Sequence, residues 1–285
     1  MSRSNEWMGR IAAAVEKRFG ERIEVGADTS GITGVGEIAR MLEHCTHRKW
    51  TERAVTPELL RLLCAAALSA PSKSDLQQTD IVHVADSAKR EAIVATIDDM
   101  DWIMDAPVFL VFCGNNRRLR LMSQWHGTPF PNDHLDQFFN AACDAAVIMS
   151  AFIQAAEAAG LGCCPVSHVR NHADKISEVL GLPQWVFPFA GLCVGYPARG
   201  NRITPRLPLS VTLHTDRYDE AHLQEQIAQY DARRHEVQPY ARQRDPQRFG
   251  KAQFYGWSAD KARQYAVEER ANFGGFVRRQ GFGLD

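Results

Sequence analysis

The residues best placed to do chemistry in this chain are His44-Cys45-Thr46-His47-Arg48-Lys49-Trp50, followed further on by Ala70-Pro71-Ser72-Lys73-Ser74-Asp75-Leu76-Gln77. In an extended segment side chains alternate between faces, so His44, Thr46 and Arg48 point one way. They set two nitrogen donors around a hydroxyl, which suits a phosphate or an electron-rich ring. In the second stretch Pro71 breaks a helical pattern and leaves small polar side chains and backbone N–H groups on offer. The two stretches read as two walls of a site for an anion-carrying cofactor.

The elements that must position these walls follow from apolar spacing. Trp7, Met8, Ile11, Ala14 and Val15 predict a helix over Asn5–Phe19, separated from the body by the Gly-rich segment Gly31–Gly36. Gly34-Val35-Gly36 is not a dinucleotide loop, because the third glycine position holds Ala39 and no convincing buried strand precedes it. Leu59, Leu60, Leu63, Cys64 and Ala67 form one helix face between Thr56 and Ser69, with Thr56-Pro57-Glu58 as its start. Ile81–Val84 and Val108–Phe112 read as strands, the second apolar throughout and therefore central, with a helix over Lys89–Ile97 between them.

Phe138–Ala159 is the longest helical stretch and is almost wholly apolar or small, which predicts burial on all sides, in a domain centre or a subunit interface. Asp144 inside it is expected to be paired or at a polar edge. Gly160-Leu161-Gly162 ends that helix, Asp174–Leu180 is a short helix, and Phe187–Gly195 is another apolar strand. Beyond Asp216 the chain is amphipathic, and Arg233, Arg234, Arg242, Arg244, Arg248 and Lys251 cluster between two helical patterns. Such a run is a solvated face or a ligand-phosphate site.

Composition bounds the function. With 285 residues, 45% hydrophobic and 24% charged, the chain can bury a substantial core without metal or disulfide staples. A net charge of -1 gives no overall field to recruit nucleic acid or an anionic membrane, so binding specificity is local. Seven cysteines, with no Cys-x-x-Cys spacing, read as reduced and mostly buried thiols, and the adjacent Cys163 and Cys164 leave a redox role open. No metal site is expected. No signal-peptide core and no run of membrane-spanning length is evident, which predicts a cytoplasmic protein.

Four segments, in order, resemble the nitroreductase family of FMN-dependent flavoproteins: His44–Val55, Ala70–Gln77, Gly160–His168, and Leu180–Pro183 running to Gly195-Tyr196-Pro197. A fifth, Thr204-Pro205-Arg206-Leu207-Pro208, resembles the branch with the oxygen-insensitive NADPH nitroreductases and NADPH-FMN oxidoreductases. The resemblance covers about residues 40 to 225. It implies an α+β nitroreductase-like three-layer fold, with a central mixed or antiparallel sheet surrounded by helices. It also implies an intertwined homodimer holding two FMN molecules at the subunit interface, with the long apolar helix forming the dimer. Residues 1–38 would be an N-terminal helical extension, 39–225 the FMN-binding core, and 226–285 a C-terminal helical arm around the core or the partner.

By the same resemblance His44 and Thr46 bind the FMN phosphate, and Arg48 approaches the N1/O2 edge of the ring, where negative charge develops on reduction. Ser72, Lys73 and Ser74 match a serine-rich turn toward the phosphate, ribityl chain or pyrimidine side, and Gln77 matches a wall position or is turn scaffolding. Cys164, Pro165, Val166, Ser167 and His168 match the segment laid against the ring. Ser167-His168 stands where the family favours Gly-Gly, which narrows the acceptor side. Arg206 matches a phosphate-binding arginine, with Thr204 where the branch often has lysine. Cys45 replaces a second arginine, and Lys73 is its expected substitute.

The activity implied is an FMN-dependent oxidoreductase passing hydride from NADPH or NADH to nitroaromatic, quinone or flavin acceptors by a ping-pong mechanism, with no protein group in proton transfer at the first step. The alternatives are a same-scaffold flavoenzyme with a dedicated substrate, by reductive dehalogenation or flavin supply to a monooxygenase, and a non-catalytic flavin-binding protein. NADPH preference would rest on the cluster Arg233 to Arg248 meeting the 2′-phosphate. The loops Trp125–Asp133 and Tyr240–Trp257 are expected to choose the acceptor, or else to pack.

Overall fold

The structure is a computed structural model that describes residues 3–22 and 32–285. Gly31, within the expected Gly-rich separator, lies outside the described residues. In chain order the main helices are α1 (Arg3–Phe19), α2 (Val35–Glu43), α3 (Pro57–Leu68), α4 (Ser87–Val94), α5 (Arg117–Trp125), α6 (Leu135–Ala158) and α7 (Ala173–Leu180), then α8 (Leu209–Thr212), α9 (Leu223–Val237), α10 (Pro246–Phe249), α11 (Trp257–Tyr265) and α12 (Phe273–Arg279). The strands are β1 (Thr79–His83), β2 (Val108–Asn115), β3 (Gly162–Val166) and β4 (Val186–Gly195).

Every residue of β2 is buried, because both faces of the sheet are covered. The order is β1-β2-β4-β3 and all three pairings are antiparallel. The single parallel pairing among the described residues is the bridge from Thr46 to Cys163, which adds a one-residue fifth position outside β3. Alternation along β2 sorts the core. Phe109, Val111 and Cys113 meet Ile93 of α4, Ile176 of α7 and Val169, whereas Val108, Leu110 and Phe112 meet α3 and α6 through Leu60, Leu63, Ile148 and Phe152. Burial of each such Phe or Leu contributes about 2 kcal/mol. Pro188 is tolerated inside β4 because it stands opposite Cys113, where a bulge after Phe112 interrupts the ladder.

Local signals explain the helix that enters this layer. The Thr56 hydroxyl accepts from the Leu59 N–H at 3.3 Å, and Pro57 occupies the first turn of α3. Helix α6 differs from expectation. It is not buried all round within one chain: Ala141, Asp144, Ala145, Ile148, Phe152 and Ala156 are buried, while Phe139 is 61% and Val147 42% exposed. Its 24 residues are also long and apolar enough to cross a membrane by length and composition, which corrects the expectation that no run reaches that length. Its buried stripe packs on the sheet and carries Asn140 and Asp144, as a core helix does.

By contact the chain divides after Cys45, Asn201 and Glu269 rather than at 38 and 225. A sheet unit holds Thr46–Asn201 and Arg270–Asp285, so α12 belongs with the sheet, where Phe273 and Phe276 join Phe138 and Phe187. A helical unit holds Met1–Cys45 and Arg202–Glu269. In it α1 packs on α2 through Ile11, Val15, Val35 and Ala39. Gly34 and Gly36 open α2, with Gly36 against the Trp7 ring, so this glycine pair is a helix start.

Candidate functional site

In the sheet unit the segment from Thr46 to Trp50 is laced to its neighbours by backbone. The His47 N–H donates to the Cys163 carbonyl at 2.9 Å, the Thr51 N–H to Tyr196 at 2.8 Å, and the Ala198 N–H to Lys49 at 3.1 Å. The Trp50 indole donates to the Gly162 carbonyl at 3.3 Å. The His47 ring lies directly over Gly162, where an added Cβ would meet it at 2.7 Å, so only glycine permits this approach. With His47 turned onto the strand, alternation turns Thr46 and Arg48 to the other side. The Thr46 carbonyl also accepts from the Asn201 amide.

Arg48 is exposed and reaches the Cys164 thiol. Burial raises the Cys164 pKa, and the Arg48 charge partly offsets that rise. Pro165 is the exposed member of the otherwise buried β3 and, by alternation along the strand, faces away from the Cys164 side. Val166 is buried, and Ser167 and His168 open a short 3-10 turn, with the Ser167 hydroxyl accepting from Arg270 at 3.4 Å. The Arg48 guanidinium lies 5.8 Å from the centre of the Trp102 ring, which adds one positive charge near this edge of the sheet.

The second wall is anchored differently. Asp144 of α6 is buried and its carboxylate accepts from the Ser72 hydroxyl at 2.7 Å, the Lys73 N–H at 3.2 Å and the Gln78 N–H at 3.1 Å. This meets the expectation that a charge inside an apolar helix is paired. The Ser72 hydroxyl also accepts from the Gln77 N–H at 2.8 Å. Ser74, Asp75 and Gln77 all adopt positive φ, and the Gln77 amide bonds Asp75 at 3.0 Å, so Gln77 takes part in shaping the turn. Lys73 is exposed and pairs with Asp136 at 3.3 Å, while Ser74 is exposed.

The two walls do not meet within one chain. Asp144 pins Ser72 beside Gln78 at the start of β1, one edge of the sheet, whereas Thr46 lies beyond β3 at the other. Four strand spacings across, and the run from Val108 to Gly114 along β2, put them roughly 25 Å apart.

In the helical unit His44 is half-buried, Thr204 is half-buried and Arg206 is exposed. The Arg206 N–H donates to the Arg18 carbonyl at 2.6 Å. Arg206 also lines a cavity of about 620 Å³ with Arg234, Lys261, Tyr230, Tyr240 and Trp257. The basic cluster is partly engaged: Arg233 donates to the Arg206 carbonyl at 2.7 Å, Arg234 lies 5.1 Å from the Tyr240 ring, and Arg244 pairs with Asp260 at 3.1 Å. Arg242, Arg248 and Lys251 are exposed. In the two loops expected to choose the acceptor, Phe130 lies 4.8 Å from the Arg120 guanidinium and Tyr240 packs edge-on against Tyr255, whereas Trp125 is 72% exposed.

Among the described residues no disulfide is seen, and burial raises Cys113 to about 12 and Cys163 well above the ordinary thiol value. Among the described residues no group of acidic, His and Cys side chains could hold a metal ion. Sequence reasoning missed Arg18, whose only signal was a basic residue at the end of an amphipathic helix.

Comparison with known proteins bears on the same residues. The model of the "Nitroreductase family" matches residues 42–196, and that of its C-terminal domain matches 204–285; neither reaches residues 1–41. The FMN reductase [NAD(P)H] of Bacillus subtilis is 32% identical over 68% of this chain and 79% of its own length. The oxygen-insensitive NADPH nitroreductase of Salmonella typhimurium is 34% identical over 68% and 81%. The structure of the NADPH:FMN oxidoreductase from Vibrio harveyi complexed with NAD+ superposes with a TM-score of 0.75 at 28% identity, covering 86% of this chain and 97% of that one.

Proposed function

The chain belongs to the nitroreductase family and is an FMN-dependent NAD(P)H oxidoreductase, and we propose that it moves hydride to nitroaromatic, quinone or flavin acceptors in two successive half-reactions at one face. The residues present fit the cofactor. Arg48, whose charge acts on the Cys164 thiol, would supply positive charge to a flat ring, and each unit offers donors suited to a phosphate, Thr46 and Lys73 in the sheet unit and His44 and Arg206 in the helical unit. When bound, FMN supplies the hydride-accepting and hydride-donating chemistry.

The observation that carries this reading is the placing of Arg48 beside β3, by the backbone bonds of residues 47–51 to Cys163 and Tyr196, with its guanidinium 5.8 Å from the Trp102 ring. With FMN bound, Arg48 would offset the negative charge of the reduced ring, and the backbone lacing of residues 46–51 fixes the main chain from which its side chain extends. Cys164, Val166, Ser167 and His168, in β3 and the turn after it, would lie against the ring, where the bulk of Ser167 and His168 would restrict the acceptor side. Ser72, Ser74 and Gln77 shape the second wall, Thr204 flanks Arg206, and the exposed Arg242 and Arg248 are the cluster members assigned to a 2′-phosphate.

We assign a homodimer to the same reading. With the walls at opposite sheet edges, one chain does not close both on a single flavin, whereas two copies supply one wall each. The exposed stripe Phe139, Cys143, Val147 of α6 is the surface a second copy would cover. The free thiols suit a cytoplasmic location.

The test is an absorbance spectrum of the purified chain before and after anaerobic NADPH. A flavin band that bleaches is expected; a colourless protein that takes up no FMN, or a yellow one that NADPH leaves unbleached, rules the reading out. Light scattering of Val147→Glu, expected to shift the native dimer to monomer and strip the flavin, tests the subunit arrangement.

A further inference from the structure

Helix α1 lies outside both family models, yet it reaches the segments that carry His44 and Arg206. Its Arg18 is 6% exposed. The guanidinium donates to the carbonyls of Leu42 at 2.9 Å, His44 at 2.6 Å and Thr204 at 3.2 Å. Its own carbonyl accepts from the Arg206 N–H at 2.6 Å and from Arg233 at 3.4 Å, and Arg233 in turn donates to the Arg206 carbonyl at 2.7 Å. Arg18 and Thr204 are 186 residues apart in sequence.

The local sequence allows this knot. Gly20 ends α1 with φ +74, a left-handed conformation that favours glycine, and the Arg233 side chain lies against it. Arg10 at mid-helix pairs with Glu43 at the end of α2 and fixes the helix in register. A planar fork with five donors is the side chain that can serve three carbonyls at once, which a lysine ammonium does less well.

We infer that Arg18 is a positioning residue for the cofactor phosphate. By holding the main chain of residues 42–44 and 204–206 on one buried guanidinium, the added helix α1 sets where His44 and Arg206 present their charges. This rests on the assignment of those two side chains to the phosphate in the preceding subsection. Without the fork three carbonyls lose their shared donor, and the two segments are free to separate.

The experiment titrates full-length apoprotein with FMN and with riboflavin, which lacks the phosphate, and follows flavin fluorescence. Wild type is expected to bind FMN at least tenfold more tightly than riboflavin; equal constants would remove the phosphate assignment itself, before Arg18 is considered. Arg18→Gln is expected to weaken FMN at least tenfold and riboflavin less than twofold, with Arg18→Lys between it and wild type. If Arg18→Gln does not fold, the Lys variant carries the same comparison. Lys17→Ala, at an exposed position of the same helix, is expected to leave the FMN-to-riboflavin ratio unchanged. Equal weakening of both ligands by Arg18→Gln, no change in either, or an equal effect from Lys17→Ala would each overturn the inference.

Discussion

The segment Thr46–Trp50 and the turn Ser72–Gln78 belong to the same sheet unit, yet they are held in opposite ways. The first is fixed by main-chain hydrogen bonds to β3 and to residues 196–198, so its side chains are left for a ligand. The second is fixed by one carboxylate, Asp144, that gathers a hydroxyl and two backbone N–H groups while three residues of the turn sit at positive φ. A backbone-laced wall tolerates side-chain change; a turn hung on one buried acceptor does not.

The comparison breaks most readily at Asp144. Asp144→Ala removes the acceptor of three donors and should destabilise the protein by about 3 kcal/mol, with flavin lost as the turn relaxes. Asp144→Asn, which keeps one acceptor oxygen, should cost about half as much. Urea midpoints of both, set beside Thr46→Val, measure this; if the Thr46 change proves as costly as the Asp144 change, the contrast fails. At the other wall, Arg48→Ala should lower kcat/KM by about 100-fold and shift stability little, because its contribution is charge at the ring edge. Arg48→Lys should recover part of the loss. A kcat/KM unchanged in Arg48→Ala would remove its electrostatic role.

Alkaline pH sharpens the contrast. The laced wall rests on a sheet whose thiols Cys113, Cys163 and Cys193 are buried, and burial lifts Cys113 to about 12. In the unfolded chain a thiol releases its proton near pH 8.5, so above that the unfolded state holds fewer protons than the folded one. Stability from a raised thiol is complete below the unfolded value and is lost as pH climbs toward the folded value. Cys113 alone predicts a loss of about 1.4 kcal/mol per pH unit across roughly pH 9 to 12, absent in Cys113→Ala. A pH-independent unfolding midpoint over that range would contradict it. The smallest effect is at the exposed end of the turn. Lys73→Ala should weaken FMN about fivefold and Cys45→Ala less, with stability unaffected, because the Lys73–Asp136 pair is half exposed. Equal FMN dissociation constants for the two variants would refute the substitution of Lys73 for a missing arginine.

Much of the fold was legible because its signals are local. Thr56-Pro57 marks the start of α3, and the unbroken apolar run of β2 marks a strand covered on both faces. The family resemblance rested on ordered motifs, and the matches to both family models bear it out. Strand β3 went unseen as a strand because Gly162-Cys163-Cys164-Pro165 has neither alternation nor strong strand formers; it is held there by pairing with β4 and with Thr46. The one-sided burial of α6 was also hidden, since an apolar helix gives the same pattern whether it is covered by its own chain or left open on one face.

The sequence by itself determined which residues could carry charge and hydrogen bonds to a flavin, since donor chemistry is a property of residue type. Only the tertiary structure decided that Ser72 is engaged by Asp144, that Arg48 rests at Cys164, that the two walls stand at opposite sheet edges, and that Arg18 ties together segments far apart in the chain. The reason is range. Helix caps and strand patterns are written in neighbours a few residues apart, whereas a buried guanidinium collects carbonyls 24, 26 and 186 residues away, and no periodicity in the sequence records that meeting.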